Sequence, residues 1–262
     1  MKNHENNWLE IVGREFDHPA TVLWRAVELR YIEDAFFRHN LLEPVLDLGC
    51  AEGKIADALF KKNTLIGLDN CWELIRQNKK EAHKALVLAD GCKTPFKDEV
   101  FGSIFSNCVI EHIPGLDSLL VESYRLLKPG GIFLFTVPSD KFGDFLFFHV
   151  LFKRLGMNSL ANRYSKMRNS RLCHFHCYSH QVWQEKLEAK GFELVEYVYY
   201  MPKEALMRWD FLAGIVFIFG KIKISSFLKR KFTQELKPVF DKYTKPDCDI
   251  GGSLLIVAQK NS

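Results

Sequence analysis

Short apolar runs separated by helix-like segments recur along the first half of the chain. The runs at 45–48, 65–69 and 85–90 are rich in Leu, Val or Ile and carry an acid at or near the end. Helices are predicted between them, at 53–61 and 72–82. Continuous apolar runs of this length are typical of strands buried on both faces, and strands that alternate with helices form parallel sheets. The pattern therefore predicts an α/β fold.

The same pattern continues to the C-terminus. Further strands are predicted at 100–108, 132–137, 192–199 and 253–258, and further helices at 20–40, 118–127 and 180–190. Two segments fall outside the alternation and are interpreted as insertions, at about 138–178 and 200–252. We therefore predict an N-terminal helical cap over 1–40 and a main domain over 41–262 that carries both insertions.

Glycines and acids follow the first two strands. Gly49 and Gly53 lie between the first strand and its helix, where glycine lets the backbone approach a ligand and the helix start offers free N–H groups. Asp69 ends the second strand, 22 residues after Asp47. In nucleotide-binding α/β folds an acid at this place accepts the hydrogen bonds of a ribose diol. The alternative is that Asp69 only caps the next helix.

Four motifs in this order resemble the class I S-adenosylmethionine (SAM) methyltransferases. Asp47–Gly53 resembles their D-x-G-x-G-x-G turn, with Ala51 at the central glycine. Asp69 follows at the matching distance. Thr94-Pro95-Phe96-Lys97-Asp98 resembles a loop of the family, and Leu126-Leu127-Lys128-Pro129-Gly130-Gly131 is similar to its turn before strand five. The resemblance covers 45–137, and more loosely 173–199.

The resemblance implies a Rossmann-like class I methyltransferase fold. This fold has a seven-stranded, mostly parallel sheet with an antiparallel last strand and helices on both faces, and here helical insertions would follow strands five and six. In the family, a helix such as 20–40 caps the cofactor pocket. An amphipathic helix on the sheet edge is the alternative interpretation.

The implied cofactor is SAM, with S-adenosylhomocysteine as its product. Asp90 resembles the acid that receives the adenine amino group, and the end of the fourth strand is expected to face the methionine part. The predicted cofactor-binding residues are Asp47, Gly49, Cys50, Ala51, Gly53, Asp69, Asn70, Asp90, Gly91, Asn107 and Cys108.

Histidines supply the catalytic candidates. Glu111-His112 resembles a pair that follows strand four in the family, and His112 is either a general base or a residue that shapes the pocket. In Cys173–Ser179, two Cys and two His lie within five residues, but they lack the two-residue gaps usual for zinc ligands. No metal is therefore expected. This stretch is similar to the family's entry into the helix before strand six, with Ser179 as N-cap.

One of the two histidines in that stretch is then expected to face the substrate, and the alternative is a histidine bonded within the loop. The predicted catalytic residues are His112, His174, His176 and Glu111. The predicted substrate residues are Tyr178, Phe142 and Phe145.

The composition limits the cellular compartment and the partners that are expected for this chain. A net charge of +4 is too small to indicate nucleic acid, and no nucleic-acid partner is expected. Seven Cys, an odd number, favour reduced thiols in the cytoplasm over a disulfide framework. No apolar run reaches the roughly 18 residues of a membrane span.

The second insertion concentrates positive charge. Residues 201–246 hold ten Lys or Arg and four Asp or Glu, a balance of +6 against +4 for the whole chain. An apolar face beside a basic one suits peripheral contact with an anionic membrane surface through 201–231, or an apolar substrate with an acidic head. A lid packed on the core, or a homodimer contact, is the alternative.

These observations predict a SAM-dependent methyltransferase that acts on a small molecule. O-methylation is favoured over N- or C-methylation, and the acceptor is expected to be apolar or lipid-like. The alternative is a non-catalytic binding or scaffold protein on the same fold. A nicotinamide-dependent oxidoreductase is disfavoured because the G-x-G pattern is missing.

Overall fold

A computed structural model describes residues 7–60, 64–78, 81–219, 236–244 and 248–261. The chain divides into two compact units. The sheet unit comprises residues 36–140, 173–198 and 253–262. The helical unit comprises residues 1–35, 141–172 and 199–252, and so contains the N-terminal helices together with both insertions.

A seven-stranded mixed sheet forms the core of the sheet unit. Its strands are β1 Val45–Leu48, β2 Leu65–Asp69, β3 His83–Leu88, β4 Phe101–Asn107, β5 Leu127–Pro138, β6 Phe192–Tyr200 and β7 Ser253–Lys260. They lie in the order β3-β2-β1-β4-β5-β7-β6. The pairs β1–β2, β1–β4, β2–β3 and β4–β5 are parallel, whereas β7 runs antiparallel to β5. The predicted fold class is confirmed.

Burial of the central strands explains their apolar sequences. All four residues of β1 are buried, as are the first six of β4, because helices cover both faces of such a sheet. The helices of this unit are α3 Lys54–Leu59, α4 Trp72–Ile75, α5 Leu116–Leu126 and α8 His180–Glu188. The strand order reverses between β1 and β4, which is where open α/β sheets bind ligands.

Two boundaries differ from the sequence prediction. The helix predicted over 72–82 ends at Ile75, and His83 already belongs to β3. The strand predicted over 132–137 begins at Leu127, and its pairing with β4 is irregular between Phe101 and Ser103. Gly130 has a φ of +72° at this place. The Lys-Pro-Gly-Gly stretch therefore forms an irregular strand start instead of a separate turn.

The helical unit contains the helices of both insertions. Its helices are α1 Trp8–Glu15, α2 Pro19–Arg38, α6 Phe147–Arg154, α7 Asn158–Arg171, α9 Lys203–Phe219 and α10, over 236–243, with the last turn of α2 counted in the sheet unit. Aromatic side chains pack in its core, where the ring of Trp209 lies 5.1 Å from that of Trp24 and 5.8 Å from that of Phe142.

A buried acid ties α7 to α9. Asp210 is fully buried, accepts the hydroxyl of Tyr164 at 2.8 Å and lies 3.1 Å from Nε of Arg168 as an ion pair. Burial raises the pKa of Asp210, and the charge of Arg168 acts against that increase. The two insertions are thus joined by a charged contact that is largely shielded from water.

Within the described ranges, none of the helices combines the length and apolarity needed to cross a membrane. The predicted membrane contact over 201–231 falls partly on residues 220–235, which lie outside the described residues. Within the described part of that segment, α9 begins at Lys203.

Candidate active site

A cleft of about 650 Å³ opens at the carboxyl ends of the first strands. The loops after β1, β2, β3 and β4 form its walls. Its lining residues are Leu48, Gly49, Ala51, Leu68, Asp69, Asn70, Leu74, Ala89, Asp90, Gly91, Cys92, Val109, His112, Ile113, Pro114, Gly115 and Ser118. The volume is ordinary for a small-molecule site, and the position beside the β1–β4 reversal is where such folds bind ligands.

Asp69 holds two loops of this cleft. Its Oδ2 accepts the backbone N–H of Ala51 at 3.0 Å, and its Oδ1 accepts that of Cys71 at 2.8 Å. A carboxylate has about four acceptor sites. Two of them remain for a ligand in the cleft that Asp69 lines, so the loop-fixing bonds do not prevent the predicted contact with a diol.

The glycine turn lies close to the loop after β4. Gly49 has a φ of +81°, and a Cβ added there would lie 2.4 Å from Cγ2 of Val109, so no larger residue fits. Ala51 also adopts a positive φ, +44°. Ala51, which occupies the position of the motif's central glycine, therefore has a backbone conformation that favours glycine.

Behind the turn, a hydrogen-bonded chain of buried groups joins Asp47 to the backbone. Nε2 of His83 lies 2.8 Å from Oδ2 of Asp47, and Nδ1 lies 3.1 Å from Oδ1 of Asn78. The side-chain amide of Asn78 donates to the carbonyl of Ala51 at 2.8 Å. This bond orients the amide, so its oxygen faces His83 and Nδ1 must donate.

Asp47 is buried, and its carboxylate lies against the ring of His83. Burial is the main influence on the pKa of Asp47 and raises it, whereas the hydrogen bond and charge of His83 act against that increase. Asp47 is not among the residues that line the cleft. Its position in the structure is that of a support for the turn.

The structure brings some of the predicted cofactor residues to the cleft and places others behind it. Those that line the cleft are Gly49, Ala51, Asp69, Asn70, Asp90 and Gly91. Those that do not are Asp47, Cys50, Gly53, Asn107 and Cys108. Gly53 starts α3 with a φ of +77°, and a Cβ there would lie 2.6 Å from Oδ1 of Asn78. The side-chain amide of Asn107 donates to Oγ1 of Thr136 at 2.7 Å.

The chemistry of the lining fits SAM. Two carboxylates, of Asp69 and Asp90, face the cleft, and none of its described lining residues is Lys or Arg. Such a lining suits a ligand with hydroxyl and amino groups and positive charge. It does not suit a pyrophosphate, which needs donors and cations.

Glu111, His112 and His174 come together beyond the carboxyl end of β4. Their potential ligand atoms all lie within 4.8 Å of one another, and no other group of three such side chains is found among the described residues. Nδ1 of His112 lies 3.1 Å from the carbonyl of Cys173, and Nε2 lies 3.7 Å from the buried carboxylate of Glu111. Because a carbonyl only accepts, Nδ1 carries the hydrogen, and Nε2 of the neutral ring holds the lone pair.

The two other predicted histidines have different surroundings. The ring of His174 lies 5.5 Å from that of His112. His176 is 9% exposed, and its Nε2 donates to the carbonyl of Ile113 at 2.8 Å while its Nδ1 lies 3.1 Å from the hydroxyl of Tyr178. With both nitrogens bonded, His176 is placed to fix the loop. Burial raises the pKa of the neighbouring Cys177 thiol to about 12, so this thiol stays protonated at neutral pH.

The predicted substrate residues are divided between the units. Tyr178 belongs to the sheet unit, and Phe142 and Phe145 belong to the helical unit. Phe142 is 1% exposed in the aromatic core. Phe145 is partly exposed.

Sequence reasoning missed several residues of the site. Asn78 lies in the stretch assigned to a helix, His83 directly follows it, and nothing in the pattern distinguishes either residue. Val109 approaches the glycine turn through a contact distant in sequence. Pro114-Gly115 follows His112 and lines the cleft, and a Pro-Gly pair is a turn signal that could have marked this loop.

The sheet topology and the glycine turn held by Asp69 are those of the Rossmann-like class I methyltransferase fold, and the described lining of the cleft, which contains no Lys or Arg, fits SAM. Residues 46–135 match a family model described as a methyltransferase domain. The match covers about a third of this chain and agrees with the resemblance described from the sequence.

Curated relatives are similar to part of this chain. The chain is 34% identical over 94 residues to a malonyl-[acyl-carrier protein] O-methyltransferase of Hamiltonella defensa, with 35% of this chain and 36% of the relative covered. It is 32% identical over 100 residues to a sterol 24-C-methyltransferase of Pneumocystis carinii, with 35% and 26% covered. The chain thus spans about a third of the length of these curated relatives, or less.

A solved structure is similar to a larger share of this chain. Phosphoethanolamine N-methyltransferase 2 of Haemonchus contortus, in complex with SAM, has a TM-score of 0.57 over 90% of this chain and 52% of that one. At 17% identity, this likeness concerns the fold alone.

Proposed function

We propose that this chain transfers the methyl group of SAM to an oxygen of a small-molecule acceptor, which is apolar or lipid-like. The observation that carries the proposal is the cleft itself. Asp69, Asp90 and His112 share one space there, and no described cation lines it.

The residues of the cleft have separate roles in this proposal. Asp69 accepts the ribose hydroxyls with the acceptor sites that the backbone leaves available, and Asp90 accepts the adenine amino group. The backbone at Gly49 lies next to the methionine part. When bound, SAM supplies a methyl carbon whose bond to sulfur breaks as the acceptor oxygen bonds to it, which leaves a neutral thioether.

His112 takes the proton of a hydroxyl acceptor. Its Nδ1–H is held by the carbonyl of Cys173, so its Nε2 holds the lone pair in the neutral ring. The carboxylate of Glu111, 3.7 Å from Nε2, stabilises the imidazolium that forms. His174 positions this pair, and His176 fixes the loop.

Two other functions are proposed as alternatives to O-methylation. The first is N- or C-methylation, since one curated relative is named for an oxygen acceptor and another for a carbon of a sterol. The second is a non-catalytic protein that keeps the fold and binds SAM. Transfer assays that detect S-adenosylhomocysteine, run over fatty-acyl, carboxylate, phenol, amine and sterol acceptors, separate these alternatives by the acceptor that is consumed.

Calorimetric titration of the full chain with SAM and with S-adenosylhomocysteine tests the proposal. We expect both to bind. The variant Asp69→Ala should weaken binding at least about tenfold, because it removes an acceptor for a diol. The matched control Glu73→Ala removes an exposed acid on α4 that does not line the cleft, and it should bind as the wild type does. Absence of binding by a folded wild-type chain would refute the proposal.

A further inference from the structure

The α6–α7 turn presents apolar side chains to water. Leu155 is 63% exposed and Met157 is 47% exposed, with Leu151 and Leu160 beside them at 37% and 38%. A Cβ added at Gly156 would meet no described atom within 4 Å, so the turn projects from the helical unit. Single exposed apolar residues are ordinary, but four within ten residues of one helix–turn–helix form a patch that requires an explanation.

This turn is held in shape by its own backbone. The N–H of Met157 donates to the carbonyl of Phe152 at 2.8 Å, and that of Gly156 donates to the carbonyl of Lys153 at 3.0 Å. Gly156 has a φ of +75°, which suits the glycine that ends a helix in this way. The apolar residues are therefore displayed on a preformed element.

The chain around this turn is strongly basic. Residues 145–172 contain six Lys or Arg and no Asp or Glu. Arg168 is paired with the buried Asp210, whereas Lys153, Arg154, Arg163, Lys166 and Arg171 are exposed. An apolar tip inside a field of positive charge complements a negatively charged surface with an apolar interior.

A cleft of about 420 Å³ lies next to the tip. It is lined by Asp144, His149, Val150, Lys153, Arg154 and Lys203. Lys153 and Arg154 end α6 directly before Leu155, and Lys203 begins α9, where the helix end is itself positive. The cleft therefore has the charge and size for a phosphate group.

Two further titratable groups line this cleft. His149 is 4% exposed, and its Nδ1 lies 2.6 Å from Oγ of Ser165. Asp144 is the only acid among the described lining residues, and its Oδ1 lies 3.7 Å from Nε2 of His149. Three cations thus outnumber one mostly exposed carboxylate.

We propose that the helical unit binds the surface of an anionic phospholipid bilayer. Leu155 and Met157 enter the interface, and a lipid phosphate occupies the cleft between Lys153, Arg154 and Lys203. The contact lies at α6–α7 and the start of α9, and it does not depend on the methyl-transfer proposal. The sequence analysis expected membrane contact through residues 201–231, whereas this proposal places the contact mainly in α6 and α7.

Flotation of the full chain with lipid vesicles tests this proposal. We expect binding to vesicles of phosphatidylcholine mixed with phosphatidylglycerol, weak binding to pure phosphatidylcholine, and release by added salt. Lys153→Glu with Arg154→Glu should lower the partition coefficient about 25-fold, since each surface cation contributes about fivefold. Leu155→Asp should lower it at least about tenfold.

Matched controls lie in the sheet unit. Lys128→Glu and Val121→Asp change an exposed cation and an exposed valine there, and both should leave vesicle binding unchanged. Leu155→Ser provides a milder second variant, and circular dichroism melting checks that every variant is folded. Equal binding by wild type and by Leu155→Asp would overturn the proposal.

Two other outcomes would also overturn it. Binding of inorganic phosphate without binding of vesicles would identify the cleft as a site for soluble anions. Concentration-dependent dimers in sedimentation velocity, abolished by Leu155→Asp and without vesicle binding, would identify the patch as a contact between two copies of this chain.

Discussion

Asn78 donates its side-chain amide to the carbonyl oxygen of Ala51 at 2.8 Å, and so ties the glycine turn to the start of β3. The same amide group accepts from His83, which in turn lies against Asp47. A loop that lines the ligand cleft is therefore fixed from behind by groups that do not line it.

Asn78→Ala should both destabilise the chain and weaken its affinity for SAM. The variant leaves the carbonyl of Ala51 and the buried Nδ1–H of His83 without their partner. A buried group that loses its hydrogen bond costs about 1–3 kcal/mol of unfolding free energy. Urea denaturation measures the first effect, and calorimetric titration measures the second.

Gln77→Ala is the matched control for this variant. Gln77 is exposed and lies next to Asn78 in sequence, and it donates to the backbone of α4. Its removal should change the unfolding free energy by about 0.5 kcal/mol or less. Equal losses in the two variants would show that the chain from Asp47 to Ala51 does not hold the turn.

Ala51→Gly should stabilise the chain by up to about 1 kcal/mol. Ala51 has a φ of +44°, and an L residue with a Cβ pays for this left-handed conformation, whereas glycine adopts it freely. The bond from its N–H to Asp69 is a backbone bond and is retained. Chemical denaturation measures the change, and SAM affinity should stay near that of the wild type.

A glycine substitution at Ala58, inside α3, should have the opposite effect on the unfolding free energy. Ala58→Gly places glycine in a right-handed helix and should cost about 1 kcal/mol. If both substitutions destabilise the chain, the positive φ of Ala51 is not a source of strain.

The sequence predicted the sheet and its order of elements because buried strands and amphipathic helices have different periods. It also singled out Asp69 and Asp90, which line the cleft, because acids at strand ends are local features of the pattern. It could not predict Asn78 and His83, whose roles depend on contacts with Ala51 and Asp47 across the sheet.

The same limit applies to the histidines. His112 and His176 lie in similar polar stretches, and their sequences do not show which nitrogen is bonded. Each ring bonds to a carbonyl from a distant part of the chain, but His176 is also bonded to Tyr178 through its second nitrogen and is buried, whereas the side chain of His112 is 41% exposed.

Stability should fall in acid because of Glu122. Two hydrogen bonds from Arg125 and two from Thr94 hold its carboxylate. They lower the pKa of Glu122 from 4.5 to about 2, with Arg125 as the main cause. Because this pKa is lower in the folded chain, the stabilisation is complete above pH 4.5 and is lost as the pH falls towards about 2.

The contribution of this group is up to about 3 kcal/mol, since each unit of pKa corresponds to about 1.4 kcal/mol. Urea midpoints measured across the acid range should therefore change less in Glu122→Gln than in the wild type. Asp117→Asn, which alters an exposed acid on the same helix, should retain the wild-type loss. A wild-type curve in Glu122→Gln would contradict the assignment.

Replacing His112 or His176 by Ala should have different effects on stability and on methyl transfer. His176 is 9% exposed and bonded through both nitrogens, so His176→Ala should cost about 1–3 kcal/mol of unfolding free energy. The side chain of His112 is 41% exposed, so His112→Ala should change the unfolding free energy by about 0.5 kcal/mol or less. Under the proposed function, methyl transfer should nevertheless fall about 100-fold or more in His112→Ala, as expected when a general base is removed. Denaturation and transfer assays on both variants distinguish the roles, and a large loss of stability with unchanged transfer in His112→Ala would assign His112 to the fold instead of the reaction.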